Sequence, residues 1–300
     1  MLKIAWNPCY VLPLPPKHRF PMEKYQLLPE QLRYEGLATE ANFFSPQPLP
    51  EADIVRVHLP DYWERLRNQT LSPADVRRSG FPLSEELIQR EITIAQGTLD
   101  CAHFALQYGI AMNIAGGTHH AFTNRPEGFC LLNDMAIAAQ TLLDQGRIRQ
   151  ALIIDLDVHQ GNGTAEIFGH RPEVFTFSMH GQHNYPLRKE HSDWDIGLPD
   201  HTDDAHYLGL LREALPRLMD EVQPDMVFFQ AGVDVLATDK LGRLGLSMQG
   251  CAERDRLVLA TCRQHRVPVV VSMGGGYSPR VATIVDAHTQ TFRLAQELFF

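Results

Sequence analysis

A chain of 300 residues, 44% hydrophobic and 21% charged, has the make-up of an ordinary globular protein, with enough apolar residues for a sizeable core. Its formal net charge of −9 argues against nucleic acid as a partner and leans slightly towards a cationic substrate. Five widely spaced cysteines without a C-x-x-C pair indicate neither a disulfide framework nor a cysteine zinc site, and point to a reducing, cytoplasmic setting.

The first residues reach Trp6-Asn7-Pro8 too soon to hold the apolar region of a signal peptide, and no stretch is apolar for long enough to span a bilayer. Leu2 to Trp6 reads as a short strand, followed by a proline-punctuated loop to Phe20. A helix starts near Pro21 and ends at about Leu28, before Pro29. Ala52 to His58 is a second strand candidate, and Ser72-Pro73 opens a short helix to Arg78. From Ser84 to Tyr108, Ile88, Ile92, Ala95, Leu99, Ala102 and Leu106 recur at steps of four and three, giving one long amphipathic helix. Helices are expected at Asn133 to Gln145, Gly163 to Phe168, Asp203 to Val222 (with Pro216 inside), Gln249 to His265 and Pro279 to Leu298. Strands are expected at Ala151 to Ile154, Val174 to Ser178, in the run from Asp225 towards Asp234, and at Val267 to Ser272. No linker interrupts this alternation. The expected fold class is α/β: a single domain over residues 1–300, with a mostly parallel central sheet and helices on both faces.

The stretch Ala151 to Thr164, ALIIDLDVHQGNGT, is the centre of the reading. Its apolar run is a buried parallel strand, and Asp155, Asp157 and His159 follow at a period of two. If the chain stays extended, Asp157 and His159 leave it on one side and can converge on a borderline cation such as Zn²⁺. Taken alone, acidic residues at a strand end often only cap the next helix. What adds weight is that Asp157, His159, Asp234 and Tyr277 all fall at carboxyl ends of strands, where parallel α/β sheets bind ligands. The adjacent His119 and His120 point to different sides of the chain, so they suit two flanks of a reaction centre better than two ligands of one metal.

GGTHHA at 116–121, EGFCLLND at 127–134, DLDVHQGNGT at 155–164, SMH at 178–180, QAGVD at 230–234 and GGGY at 274–277 stand in an order and spacing that resembles the zinc-dependent histone deacetylase family, within the arginase/deacetylase superfamily. The resemblance covers most of the chain, and HRFPMEKY and HQGNG are most similar to the class IV branch and its bacterial relatives. It implies the arginase/deacetylase fold and hydrolysis of an N-acyl amine by an activated water. Asp157, His159 and Asp234 would be the zinc ligands, His119 and His120 would move protons, and Tyr277 would donate to the oxyanion. It further implies that Asp155 orients His119, that Asp155 and Ser178 help hold a structural K⁺, and that Gly128, Phe129, Tyr185 and Gly275 line the substrate tunnel. Cys130 would belong to the tunnel floor. Asn162 stands where many family members carry an Asp, so it would orient His120 without adding charge, leaving that imidazole neutral and able to serve as a base.

The implied activity is removal of an acetyl or longer acyl group from lysine in proteins. Small N-acyl amines such as acetylpolyamines offer the same bond, and a non-catalytic acyl-lysine binder on the same fold is an alternative of another class, which Tyr277 and the two histidines argue against. A binuclear manganese ureohydrolase would need an acid where Gly161 stands. The segments Glu51 to Phe81 and Gly181 to Asp204 would form the rim that selects the carrier of the amine. Acyl length, substrate and oligomeric state stay open.

Overall fold

The computed structural model describes residues 1–300. β1 (Lys3–Ala5) is followed by α1 (Lys24–Tyr34), β2 (Phe43–Phe44) and three short helices, α2 (Glu51–Ile54), α3 (Pro60–Arg67) and α4 (Pro73–Ser79). The long α5 (Glu85–Tyr108) then leads to β3 (Ile110–Asn113), α6 (Asp134–Asp144), β4 (Ala151–Asp155), α7 (Asn162–Phe168), β5 (Val174–Gly181) and β6 (Trp194–Leu198). The chain closes with α8 (Asp204–Val222), β7 (Met226–Gln230), α9 (Met248–His265), β8 (Val269–Ser272) and α10 (Val281–Phe299).

All eight strands join one parallel sheet in the order β2-β1-β3-β8-β7-β4-β5-β6. Helices flank it: α5 packs on α6, β1, β3 and β8, while α10 packs on α9, α1 and β3. Every residue of β3, β4, β7 and β8 is buried, as expected of strands covered on both faces. Burial of each Ile, Val, Leu or Phe there contributes about 1.5–3 kcal/mol. The register aligns Asn113, Ser272, Gln230, Asp155 and Ser178 in one row across five neighbouring strands. The loops carrying the candidate site all leave from that row, on one edge of the molecule. No helix is long and apolar enough to cross a membrane.

Several elements differ from the sequence reading. α1 does not stop before Pro29 but runs through it. A proline there removes the N–H that would bond the Tyr25 carbonyl, and the Trp6 indole N–H supplies the missing donor at 3.0 Å. Ala52 to His58 is not a strand. Pro50 and the acidic first turn of Glu51 and Asp53 start α2, and the buried residues Ile54 and Val57 stand three apart, the spacing of a helical turn. α3, β2 and the edge strand β6 had no clear signal: β2 is two residues long, and β6 carries Asp195 and Gly197 in five. α8 contains Pro216, within the span expected from the sequence.

His58, which ends that misread segment, is a buried structural histidine. Its Nδ1 lies 2.9 Å from the Phe122 carbonyl, and its Nε2 accepts from Asn133 N–H, so the ring is neutral with the proton on Nδ1. Burial pulls its pKa from 6.5 down to about 4. A depressed folded-state pKa contributes stability that is complete above 6.5 and is lost as pH falls towards 4. Unfolding free energy, measured by urea titration, is therefore expected to drop by about 2 kcal/mol from this group between pH 7.5 and pH 5, with the His58 NMR signals still those of a neutral ring at pH 5. A ring already protonated at pH 5.5 in the folded protein contradicts the assignment.

Candidate active site

β4 delivers the first half of the site. The strand stops at Asp155, so Asp157 and His159 do not converge by extended alternation. Instead the Asp155 carboxylate accepts from Asp157 N–H at 3.2 Å, and the Asp157 carboxylate accepts from His159 N–H at 3.0 Å. Two successive aspartate turns bend the backbone and aim both side chains at one point. β7 delivers the second half: Asp234 Oδ1 accepts from Val158 N–H at 3.0 Å, which ties the two loops together. His159 Nδ1 then faces Asp157 Oδ1 at 3.0 Å and Asp234 Oδ2 at 3.1 Å. One ligand atom from each of the three residues lies within 4.8 Å of the others, and all three residues are buried.

The donor set fits a divalent cation. Two buried carboxylates face each other, and burial together with the charge of Asp157 drives Asp234 up to about 7. Burial would lower the His159 pKa, but hydrogen bonds and charge from Asp157 and Asp234 outweigh it and carry the ring to about 10. Both shifts express one need, a positive charge between two carboxylates. Two oxygens and an imidazole nitrogen suit Zn²⁺. Gly275 closes the cluster by donating its N–H to Asp157 Oδ2 at 2.8 Å; a Cβ there would stand 2.0 Å from Asp234 Oδ2, so only glycine fits.

His119 and His120 sit side by side against this cluster, with ring centroids 4.1 Å apart. Their environments differ in sign. His119 Nδ1 lies 2.6 Å from Asp155 Oδ2; burial opposes its protonation, yet the charges of Asp155 and Asp157 raise its pKa to about 9. His120 Nδ1 lies 2.7 Å from Asn162 Oδ1, and burial, followed by the charges of His119 and His159, holds its pKa well below 6.5. Asn162 in turn donates to Glu127 at 2.8 Å, so a carboxylate stands behind the amide that holds His120.

Tyr277 lies beside His159, with ring centroids 6.4 Å apart, and its backbone N–H is held by Asp239 at 2.6 Å. Burial, then the charges of Asp234 and Asp157, push its hydroxyl well above 10, which keeps the proton on oxygen. Phe129 and Gly128 line the same cavity, while Tyr185 packs edge-on to His120 at 5.2 Å near the opening. Phe129 has a positive φ of 67°, a strained position for an aromatic residue, held by the Ser79 carbonyl accepting its N–H at 2.9 Å. Burial raises the Cys130 thiol well above 9, so it stays protonated. Ser178 pairs in register with Asp155, and its Oγ is 2.9 Å from His180 Nδ1.

Other residues build this site without having been singled out from the sequence. Asp134, the last residue of the EGFCLLND stretch, accepts from Gly117 N–H at 3.0 Å, Thr118 N–H at 2.8 Å and the Thr98 hydroxyl at 2.6 Å, fixing the loop that carries both histidines. Gln230 donates to the Gly117 carbonyl at 2.7 Å. Arg254, fully buried on α9, donates to the Leu156 and Gly232 carbonyls and pairs with Asp255. It thereby clamps the two loops bearing Asp157 and Asp234 from beneath. Arg254→Leu leaves Asp255 buried beside little more than the Thr291 hydroxyl, and is expected to cost about 3–5 kcal/mol in urea unfolding. Arg254→Leu combined with Asp255→Leu should recover a large part of that loss; a double variant no better than the single one counts against the ion pair as the cause.

Comparison with known proteins adds the following. The family model described as histone deacetylase domain matches residues 18–292. An uncharacterised protein of Picosynechococcus sp. is 44% identical over 99% of both chains. Histone deacetylase 2 of Arabidopsis thaliana is 30% identical over 89% of this chain and 72% of its own length. Among solved structures, an HDAC homolog from Aquifex aeolicus superimposes with a TM-score of 0.86 at 24% identity, covering 98% of this chain and 84% of that one, a likeness of fold.

Proposed function

The chain belongs to the histone deacetylase family, a family of deacetylase hydrolases, and from that premise we propose that it is a zinc-dependent amidohydrolase that removes a short acyl group from the side-chain amine of lysine. The observation that carries this reading is the pair of buried, adjacent histidines, His119 held by the Asp155 carboxylate and His120 by the Asn162 amide, set against a buried Asp-His-Asp donor set.

Asp157, His159 and Asp234 would hold the metal, which when bound supplies Lewis acidity towards an amide carbonyl and a water. His120, neutral at pH 7, takes a proton from the attacking water through Nε2, its Nδ1–H held by Asn162. His119, protonated through its partnership with Asp155, places a proton donor beside the departing amine. Tyr277 donates its hydroxyl proton as a hydrogen bond to the oxyanion developing on the acyl carbon. Gly128, Phe129 and Tyr185 form the passage for the lysine methylenes. Asp155 and Ser178, side by side in the sheet, would be the place for a structural K⁺, as in the family the chain resembles.

Beyond the metal-binding residues the cavity is walled by Arg90, Tyr25, Ile94 and the 116–118 loop, with the Arg90, Tyr25 and Ile94 side chains buried. These buried walls favour a group of acetyl size over an octanoyl or myristoyl chain. The test is incubation of the zinc-loaded protein with lysine peptides bearing acetyl, octanoyl or myristoyl groups and with acetylated polyamines, read by mass spectrometry. Turnover of acetyl-lysine peptides is expected, with the long-chain peptides much slower. Absence of turnover in a protein holding stoichiometric zinc would sink the reading.

A further inference from the structure

The passage opens into a mouth of about 450 Å³ lined by Arg19, Arg77 and Arg78 together with Gly128, Phe129, Tyr185 and other residues, and no Asp or Glu lines it. In a chain of net charge −9, three cations around one opening run against the average of the surface. All three arginines are exposed. Arg78 is shared with Asp75 at 3.0 Å, whereas Arg19 and Arg77 take part in no ion pair.

Their position relative to the tunnel is fixed by the backbone. The Arg78 carbonyl accepts from Gly128 N–H at 3.0 Å, and the next residue, Ser79, holds Phe129. Gly80, with φ 74°, ends α4 directly against the Phe129 ring, where a Cβ would lie 2.7 Å away. The helix end that carries Arg77 and Arg78 is thus bolted to the tunnel wall. Basic residues in the last turn of a helix also interact well with its dipole, which would account for their presence on α4. It does not account for Arg19, which comes from the separate loop before α1 and converges on the same opening.

We propose that this arginine mouth recognises an anionic group on the carrier of the acyl amine, so that the preferred substrates are acyl-lysines flanked by acidic residues, and not basic tails or polyamines. The proposal rests on the amidohydrolase reading for the acyl group, but recognition by the mouth can be measured without turnover. Charge complementarity across an opening of this kind selects partners and speeds encounter more than it adds raw affinity.

The experiment uses the full chain and fluorescent acetyl-lysine peptides of one length with Glu, Gln or Lys flanks, read by anisotropy and, in parallel, by turnover. A second arm compares acetyl-lysine having a free α-carboxylate with its carboxamide, to tell a small anionic carrier from an acidic peptide. At low salt the Glu-flanked peptide is expected to bind about tenfold more tightly than the Lys-flanked one, as two or three exposed ion pairs allow. The gap should close towards 1 M salt, where the screening length is about 3 Å. Arg19→Glu with Arg77→Glu should reverse the order, and the milder pair Arg19→Gln with Arg77→Gln should abolish it; a ratio between peptides is insensitive to partial unfolding. Equal binding, a preference for Lys flanks, or a preference indifferent to salt and to these variants overturns the proposal. If binding follows the expected order but nothing is cleaved, the hydrolase reading falls and the anion-selective mouth stands.

Discussion

Tyr277→Phe lowers kcat on an acetyl-lysine peptide by about 10²–10³-fold, with KM and thermal unfolding nearly unchanged. The size follows from what is removed: a hydrogen-bond donor aimed at charge that develops only in the transition state, in a site screened from water. The near-neutral effect on folding follows from what stays. The ring packs against Phe20, Phe129 and His159, and the backbone is anchored by Asp239, itself tied to Leu241 and Gly242 N–H groups, none of which involves the hydroxyl. Stopped assays on wild type and variant with equal zinc content measure it. A variant retaining a third or more of wild-type kcat would remove Tyr277 from the chemistry and leave it a wall of the tunnel.

Asp234→Asn should reduce zinc affinity by more than about 100-fold, since losing an outer partner of a metal ligand already costs about 10–100-fold. Activity should fall to background at limiting metal. The substitution keeps shape and an acceptor oxygen for Val158 N–H, so the loop stays tied to β4 and the change isolates the charge. It also removes a carboxylate that burial, and then the charge of Asp157, push up to about 7, so the variant is expected to be at least as stable as the metal-free wild type. Metal content by mass spectrometry, zinc titration calorimetry and urea unfolding give three separate readouts. Unaltered zinc affinity would exclude Asp234 from the ligand set, whatever happens to turnover.

The alternation of buried strands with helices was readable because period and burial are local: ALIID and MVFFQ are apolar up to their last residue, a pattern that suits strands covered on both faces. Asp157 and His159 were readable as a candidate pair because short-range turns carry them, two aspartate turns within five residues in place of the expected extended path, whereas Asp234 joined the candidates through the family resemblance. Pro29 shows the opposite case. Read locally it ends a helix, and it fails to do so because Trp6, 23 residues earlier, supplies the donor that proline withdraws. Arg254 and Glu127 were likewise invisible: an arginine on an amphipathic helix reads as solvated, and only the packing of α9 beneath the two ligand loops buries it.

The sequence by itself determined the class of fold and the order of the candidate cation-binding residues along it, since hydrophobic period and ligand chemistry are properties of short segments. The tertiary structure decided how protons are biased and what approaches the site. Asp155 favours a protonated His119 while burial and the neighbouring His119 and His159 keep His120 neutral, and this contrast exists only because a loop after β4 meets a loop after β3. Arg19 and Arg77, 58 positions apart in the chain, form one basic mouth only because α4 and the loop before α1 close on the same opening. Net charge sums over a surface, whereas a substrate meets the field of the few side chains in front of it, and their arrangement is set by packing.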